Sequence, residues 1–120
     1  MKSLHAMADE VYEIECLLGW QPNDNRFGES MALLHSEVSE ALEAYRNWGL
    51  EDATETPPHQ DGWTYGVPPG KPEGVGSELA DVLIRLLSSA RQYGVDLEAE
   101  YERKCAYNRT RSHRHGGKRL

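Results

Sequence analysis

Residues 30–48 read SMALLHSEVSEALEAYRNW, and residues 77–93 read SELADVLIRLLSSARQY. In the first stretch Met31, Leu34, Val38, Ala41, Leu42 and Tyr45 recur at steps of three and four, the spacing of one face of a helix. Gly49 follows as a natural stop. In the second stretch Leu79, Val82, Leu83, Leu86, Leu87 and Ala90 form a broader apolar face, and Gly94 ends it. Two amphipathic helices are therefore predicted, running roughly from Ser30 to Trp48 and from Ser77 to Tyr93.

Two further helices flank them. Met7, Val11, Ile14, Leu17 and Leu18 recur at helical spacing over about residues 4–18, with Gly19 and Pro22 marking the stop. Asp96 reads as the N-cap of a last helix reaching about Arg109. Its apolar side is thin (Leu97, Ala99, Tyr101, Cys105 and Ala106), which suits an edge or a subunit interface. Residues 50–74 break the pattern with Pro57, Pro58, Gly62, Gly66, Pro68, Pro69, Gly70 and Pro72. Trp63 and Tyr65 stand in the middle of that stretch, placed to touch a ligand or a neighbouring subunit, or to pin the loop onto the helices. No segment has the two-residue alternation of a strand. The expectation is an all-α, four-helix bundle forming one domain over residues 1–120, with a long Pro/Gly-rich loop between its second and third helices and a basic, flexible tail at 110–120.

Composition narrows the class. The chain has 120 residues, 38% of them apolar, with one Phe. So small a core favours completion by a second copy. No apolar run is long enough for a membrane span, and the N-terminus lacks a secretory pattern. Cys16 and Cys105 form neither a disulfide framework nor a zinc pattern, and reduced thiols fit a cytoplasmic protein. The net charge is −7, but all 20 acidic residues precede position 103, while 7 of the 13 basic ones follow position 102. An acidic body argues against broad nucleic-acid binding. The basic end suits phosphates or another polyanion.

The chemistry lies in two acidic pairs, Glu37-Val38-Ser39-Glu40 and Glu78-Leu79-Ala80-Asp81. Each places carboxylates at i and i+3, neighbours on one helical face and bordering an apolar stripe. One such pair is ordinarily solvated surface. Two pairs on adjacent helices can converge, and four clustered negative charges then require protons or cations. Hard oxygen ligands select magnesium, with manganese as the substitute. A di-iron bundle would need Glu-x-x-His, and no histidine lies three residues after a Glu or Asp. Lys104, Asn108 and Arg111 share one edge of the last helix while it lasts, a cation–amide–guanidinium row suited to phosphate and sugar oxygens. Lys118, after Gly116-Gly117, can close over a phosphate. A solvated basic terminus is the plainer reading of the same residues.

These motifs resemble the MazG-type all-α nucleoside triphosphate pyrophosphohydrolases. The resemblance rests on Glu37-x-x-Glu40, on Glu78-Leu79-Ala80-Asp81-Val82-Leu83, and on a C-terminal part carrying Gly94-Val95-Asp96-Leu97, Lys104, Asn108, Arg111 and His115-Gly116-Gly117-Lys118. That C-terminal part is similar to small members of the family from phages and actinobacteria. The resemblance as a whole covers roughly residues 29–49 and 76–118. The resemblance implies magnesium held by Glu37, Glu40, Glu78 and Asp81, cleavage between the α and β phosphates, and homodimers or homotetramers. It also implies a cytoplasmic location, bacterial or in the host of a phage. Lys104, Asn108 and Arg111 fall where the family contacts nucleotide. The long 50–74 stretch departs from the pattern and leaves the base unassigned, with Trp20, Trp48, Trp63 and Tyr65 as stacking candidates.

The implied reaction is in-line attack of water on the α-phosphorus, with Glu40 as the candidate proton acceptor and Lys104 and Arg111 steadying the phosphates. Two other functions fit the same residues. One is phosphoribosyl-ATP pyrophosphohydrolase. The other is a non-catalytic helical interaction module that docks a partner through its basic tail.

Overall fold

The computed structural model describes residues 1–20, 26–50 and 71–119. The predicted loop of 50–74, including Trp63 and Tyr65, lies almost wholly outside the described residues, as does Pro22. Helices account for nearly all of the rest: α1 (Leu4–Leu17), α2 (Phe27–Trp48), α3 (Val75–Gln92), α4 (Leu97–Arg109) and a single turn, α5 (Arg114–Gly117). Among the described residues there is no strand, and their architecture is all-α.

Local signals set the ends. The Ser3 hydroxyl accepts from the Ala6 amide and starts α1. The Asp96 carboxylate does the same for the Ala99 amide at the head of α4. Gly49, at φ 67°, turns the chain out of α2 while its amide still bonds the Tyr45 carbonyl. Two helices start earlier than their apolar periodicity suggested. Helix α2 begins at Phe27 because the Phe27 ring packs edge-on against Tyr93, with centroids 5.1 Å apart. That tertiary contact is invisible to periodicity. Helix α3 begins at Val75, which is itself buried.

Helix α3 is the central element, with α2 and α1 packed on it and α4 joined to α1. The α2–α3 pair is antiparallel: Ser30 Oγ meets Tyr93 Oη at 3.3 Å at one end, and Arg85 meets Glu37 further along. Asp9 accepts from Arg91 at 2.8 Å, and the Arg91 guanidinium lies over the Tyr12 ring, tying α1 to α3. The imidazole of His5 sits between Asp96 and Glu98, and Glu98 also accepts from the Leu4 amide, so polar ties join the heads of α1 and α4.

The core is smaller than the apolar stripes suggested. Among the described residues the buried apolar ones are Val11, Ala41, Ala44, Val75, Leu87 and Ala90. Ile14 and Leu17 of α1, Leu18 at its C-cap, Val38, Leu42 and Tyr45 of α2, and Leu79 and Leu83 of α3 are exposed. Their faces are wider than the described neighbouring helices cover. Helix α4 buries no residue, in keeping with its thin apolar side. No described helix is long and apolar enough to cross a membrane.

Candidate functional site

The two acidic pairs come together where α2 crosses α3. Each helix brings a pair because i and i+3 share a face, and the antiparallel packing turns those faces toward one another. One carboxylate oxygen each from Glu37, Glu78 and Asp81 lies within 4.8 Å of the others. Glu40 borders this trio, and its proton affinity is set in part by the carboxyls of Glu37 and Glu78. Glu37 is the most enclosed, with its side chain 12% exposed, and Glu78 and Asp81 are half-buried.

Crowding alters their proton affinity. Burial, with Asp81 and Glu40 as further contributors, pushes the Glu78 carboxyl up from 4.5 to about 7. Asp81 is raised by burial and then by the Glu37 charge, and Glu40 by burial and then by Glu37. Partial withdrawal from water and mutual repulsion both disfavour the charged forms. Near neutral pH the cluster therefore holds a proton or awaits a cation. The donor set is all oxygen, and among the described residues no histidine or cysteine joins it. Such a set fits a hard divalent cation such as magnesium or manganese and suits zinc or copper poorly.

Three residues that the acidic motifs did not single out complete the surroundings. Arg85 Nε donates to Glu37 Oε1 at 3.1 Å, fixing that carboxylate from the α3 side. It stands one turn beyond Asp81 on α3, so helical spacing carried a signal for it. Glu73, in the segment leading into α3, has a side chain only 8% exposed and pairs with Lys71 at 3.2 Å. Neither Lys71 nor Glu73 belongs to a periodic segment, and no spacing rule points to them. The Glu73 carboxylate holds the Lys71 ammonium protonated above its usual range, and Glu78 and Asp81 add to the effect. Lys71 and Arg85 in turn lower the proton affinity of Asp81, so both cations act on the cluster.

The other sequence-derived candidates lie elsewhere. Lys104 and Asn108 are exposed on α4, whose packing is against α1. Arg111 falls beyond the end of that helix, which closes as the Thr110 hydroxyl donates to the Tyr107 carbonyl at 2.6 Å. Its guanidinium lies 5.9 Å from the Tyr107 ring centroid. Lys118 is exposed just after the α5 turn. Within one chain these basic residues are not joined to the carboxylates by any described contact. Trp20 is exposed, Trp48 is half-buried at the end of α2, and Trp63 and Tyr65 lie outside the described residues. No family model matches the chain, and neither the curated proteins nor the solved structures contain a match to it.

Proposed function

We propose that the chain is a magnesium-dependent nucleoside triphosphate pyrophosphohydrolase of the MazG-like kind, releasing a nucleoside monophosphate and pyrophosphate. The observation that carries this reading is the convergence of Glu37, Glu78 and Asp81 oxygens within 4.8 Å across two helices, with Glu40 beside them. Glu37, Glu40, Glu78 and Asp81 would hold the ion, which when bound neutralises phosphate charge and activates water.

The chain's own residues have separate tasks. Arg85 orients Glu37, as an outer partner orients a ligating carboxylate. Glu40, the most solvent-open of the four, is the candidate to accept the proton of the attacking water. Lys104, Asn108 and Arg111 are the proposed nucleotide contacts on α4, and Trp63 is the proposed contact from the loop. Since α4 packs against α1, those α4 contacts call for self-association, as a homodimer or homotetramer, that brings one chain's α4 to another's carboxylates. The exposed apolar residues of α1, α2 and α3 support the same assembly. A cytoplasmic location is part of the proposal.

The test is a panel of ribo- and deoxynucleoside triphosphates, with phosphoribosyl-ATP included, assayed with magnesium and with chelator. Monophosphate and pyrophosphate are quantified by chromatography. Magnesium-dependent release of both is expected, and Glu40→Gln and Asp81→Asn should each remove nearly all of it while circular dichroism stays unchanged. Full activity in both variants would place the chemistry elsewhere. A wild-type chain inert toward every nucleotide would favour the interaction-module reading.

A further inference from the structure

Lys71 and Glu73 are an unusual couple. The Glu73 side chain is 8% exposed, whereas that of Lys71 is 59% exposed, and the two meet at 3.2 Å. An enclosed carboxylate is costly without compensation, whereas an exposed ammonium needs no partner. The pairing therefore compensates the enclosed carboxylate and, through the same contact, fixes the position of the exposed ammonium. One of its three donors goes to Glu73, and the exposure of the side chain leaves the others turned to solvent.

The backbone around the couple is also held. Pro72 fixes its own φ, and its carbonyl accepts from the Ser77 hydroxyl at 3.2 Å. Gly74, at φ 102°, makes the turn into α3, and its carbonyl accepts from the Glu78 amide at 3.0 Å. Only glycine adopts that backbone freely. Lys71 is thus anchored to the helical turn that carries Glu78, and its charge reaches both Glu78 and Asp81. The other cation at the cluster, Arg85, is engaged with Glu37. A cluster of carboxylates repels a polyphosphate, so a fixed ammonium at its edge is the feature the ligand would need.

We propose that Lys71 binds the polyphosphate portion of the substrate and that Glu73 is the positioning residue that holds its ammonium in place. This rests on the reading of the chain as a triphosphate hydrolase, but its test need not. Lysine serves such a role as a point charge, without the bidentate geometry of arginine.

Inorganic tripolyphosphate with magnesium is titrated calorimetrically into the wild type, Lys71→Met, Lys71→Arg and Glu73→Gln. Lys71→Met should weaken binding by about ten-fold or more, the loss expected of one charge-assisted contact. Lys71→Arg should retain most of the affinity, and Glu73→Gln should fall between. Binding of manganese alone, followed by electron paramagnetic resonance, should be no weaker in Lys71→Met, since losing a neighbouring positive charge can only favour a cation, and this separates phosphate capture from ion capture. If tripolyphosphate binds in a Lys71-dependent way but no nucleotide is turned over, the hydrolase reading fails and the Lys71 assignment stands. If nucleotides are turned over and a folded Lys71→Met keeps the wild-type KM and tripolyphosphate affinity, the assignment fails and the hydrolase reading stands. A wild type with no affinity for tripolyphosphate overturns the assignment outright.

Discussion

Replacing Glu78 by Gln should make the metal-free protein more stable at pH 8 and no more stable at about pH 4. Burial and the neighbouring Asp81 and Glu40 raise the Glu78 carboxyl from 4.5 to about 7 in the folded chain. The folded state therefore binds this proton more tightly than the unfolded state does. Below about pH 4.5 both states are protonated and the group contributes no penalty. As pH rises from about 4.5 to 7 the unfolded chain gives up this proton while the folded chain still holds it, so stability is lost across that window and the full loss is present above 7. At 1.36 kcal/mol per pH unit the ceiling on that loss is about 3 kcal/mol. Glu78 is only half-buried, and solvent screening reduces the figure to about 1–2 kcal/mol. Gln keeps the shape and removes the charge, so the variant should unfold roughly 4–8 °C above wild type at pH 8 in chelator. The two melting curves should draw together as pH falls and meet near about pH 4. Magnesium should then raise the wild-type midpoint and close much of the gap, because an ion bound only by the folded state adds its own stabilisation. A variant that gains nothing at pH 8 relative to about pH 4 would show that the carboxylates do not strain one another as described.

Two further perturbations probe neighbouring features. Arg85→Met removes the guanidinium from Glu37, whose side chain is 12% exposed, and should cost about 1–3 kcal/mol in urea unfolding with chelator present; an unchanged midpoint would mean the ion pair is incidental. Leu42→Glu combined with Leu83→Glu places charge on exposed apolar faces of α2 and α3 and should convert a sedimenting dimer or tetramer to monomer, whereas a wild type that is monomeric at every concentration would remove the need for a partner.

The helices were legible in the sequence because apolar residues recur at one period and Gly49, Gly94 and Asp96 punctuate them. The meeting of Glu37 with Glu78 and Asp81 was foreseeable for the same reason: each pair borders the stripe that packs. What was not legible depends on tertiary contact. Phe27 extends α2 backward because Tyr93 is there to receive it, and nothing local announces that. Lys71 and Glu73 sit outside any periodic segment, so their approach to the carboxylates emerges only once the chain turns at Gly74. The stripes also overstated the core. A periodic apolar face marks a surface seeking cover, and Leu42 and Leu79 show that the described helices do not supply all of it.

The contacts of Tyr93 with Phe27 and Ser30 work as a register stop between two rods. From that end, Glu37 lies ten residues along α2 from Phe27, and Arg85 eight residues back along α3 from Tyr93. At 1.5 Å per residue these lengths are roughly 15 and 12 Å, so the rods arrive at the carboxylates nearly in step. Sliding one rod by a single turn would carry them about 5.4 Å out of alignment and dismantle the cluster without touching any of its members. The alignment of the acidic oxygens is thus gauged from the far end of the pair, by two aromatic rings and a hydroxyl.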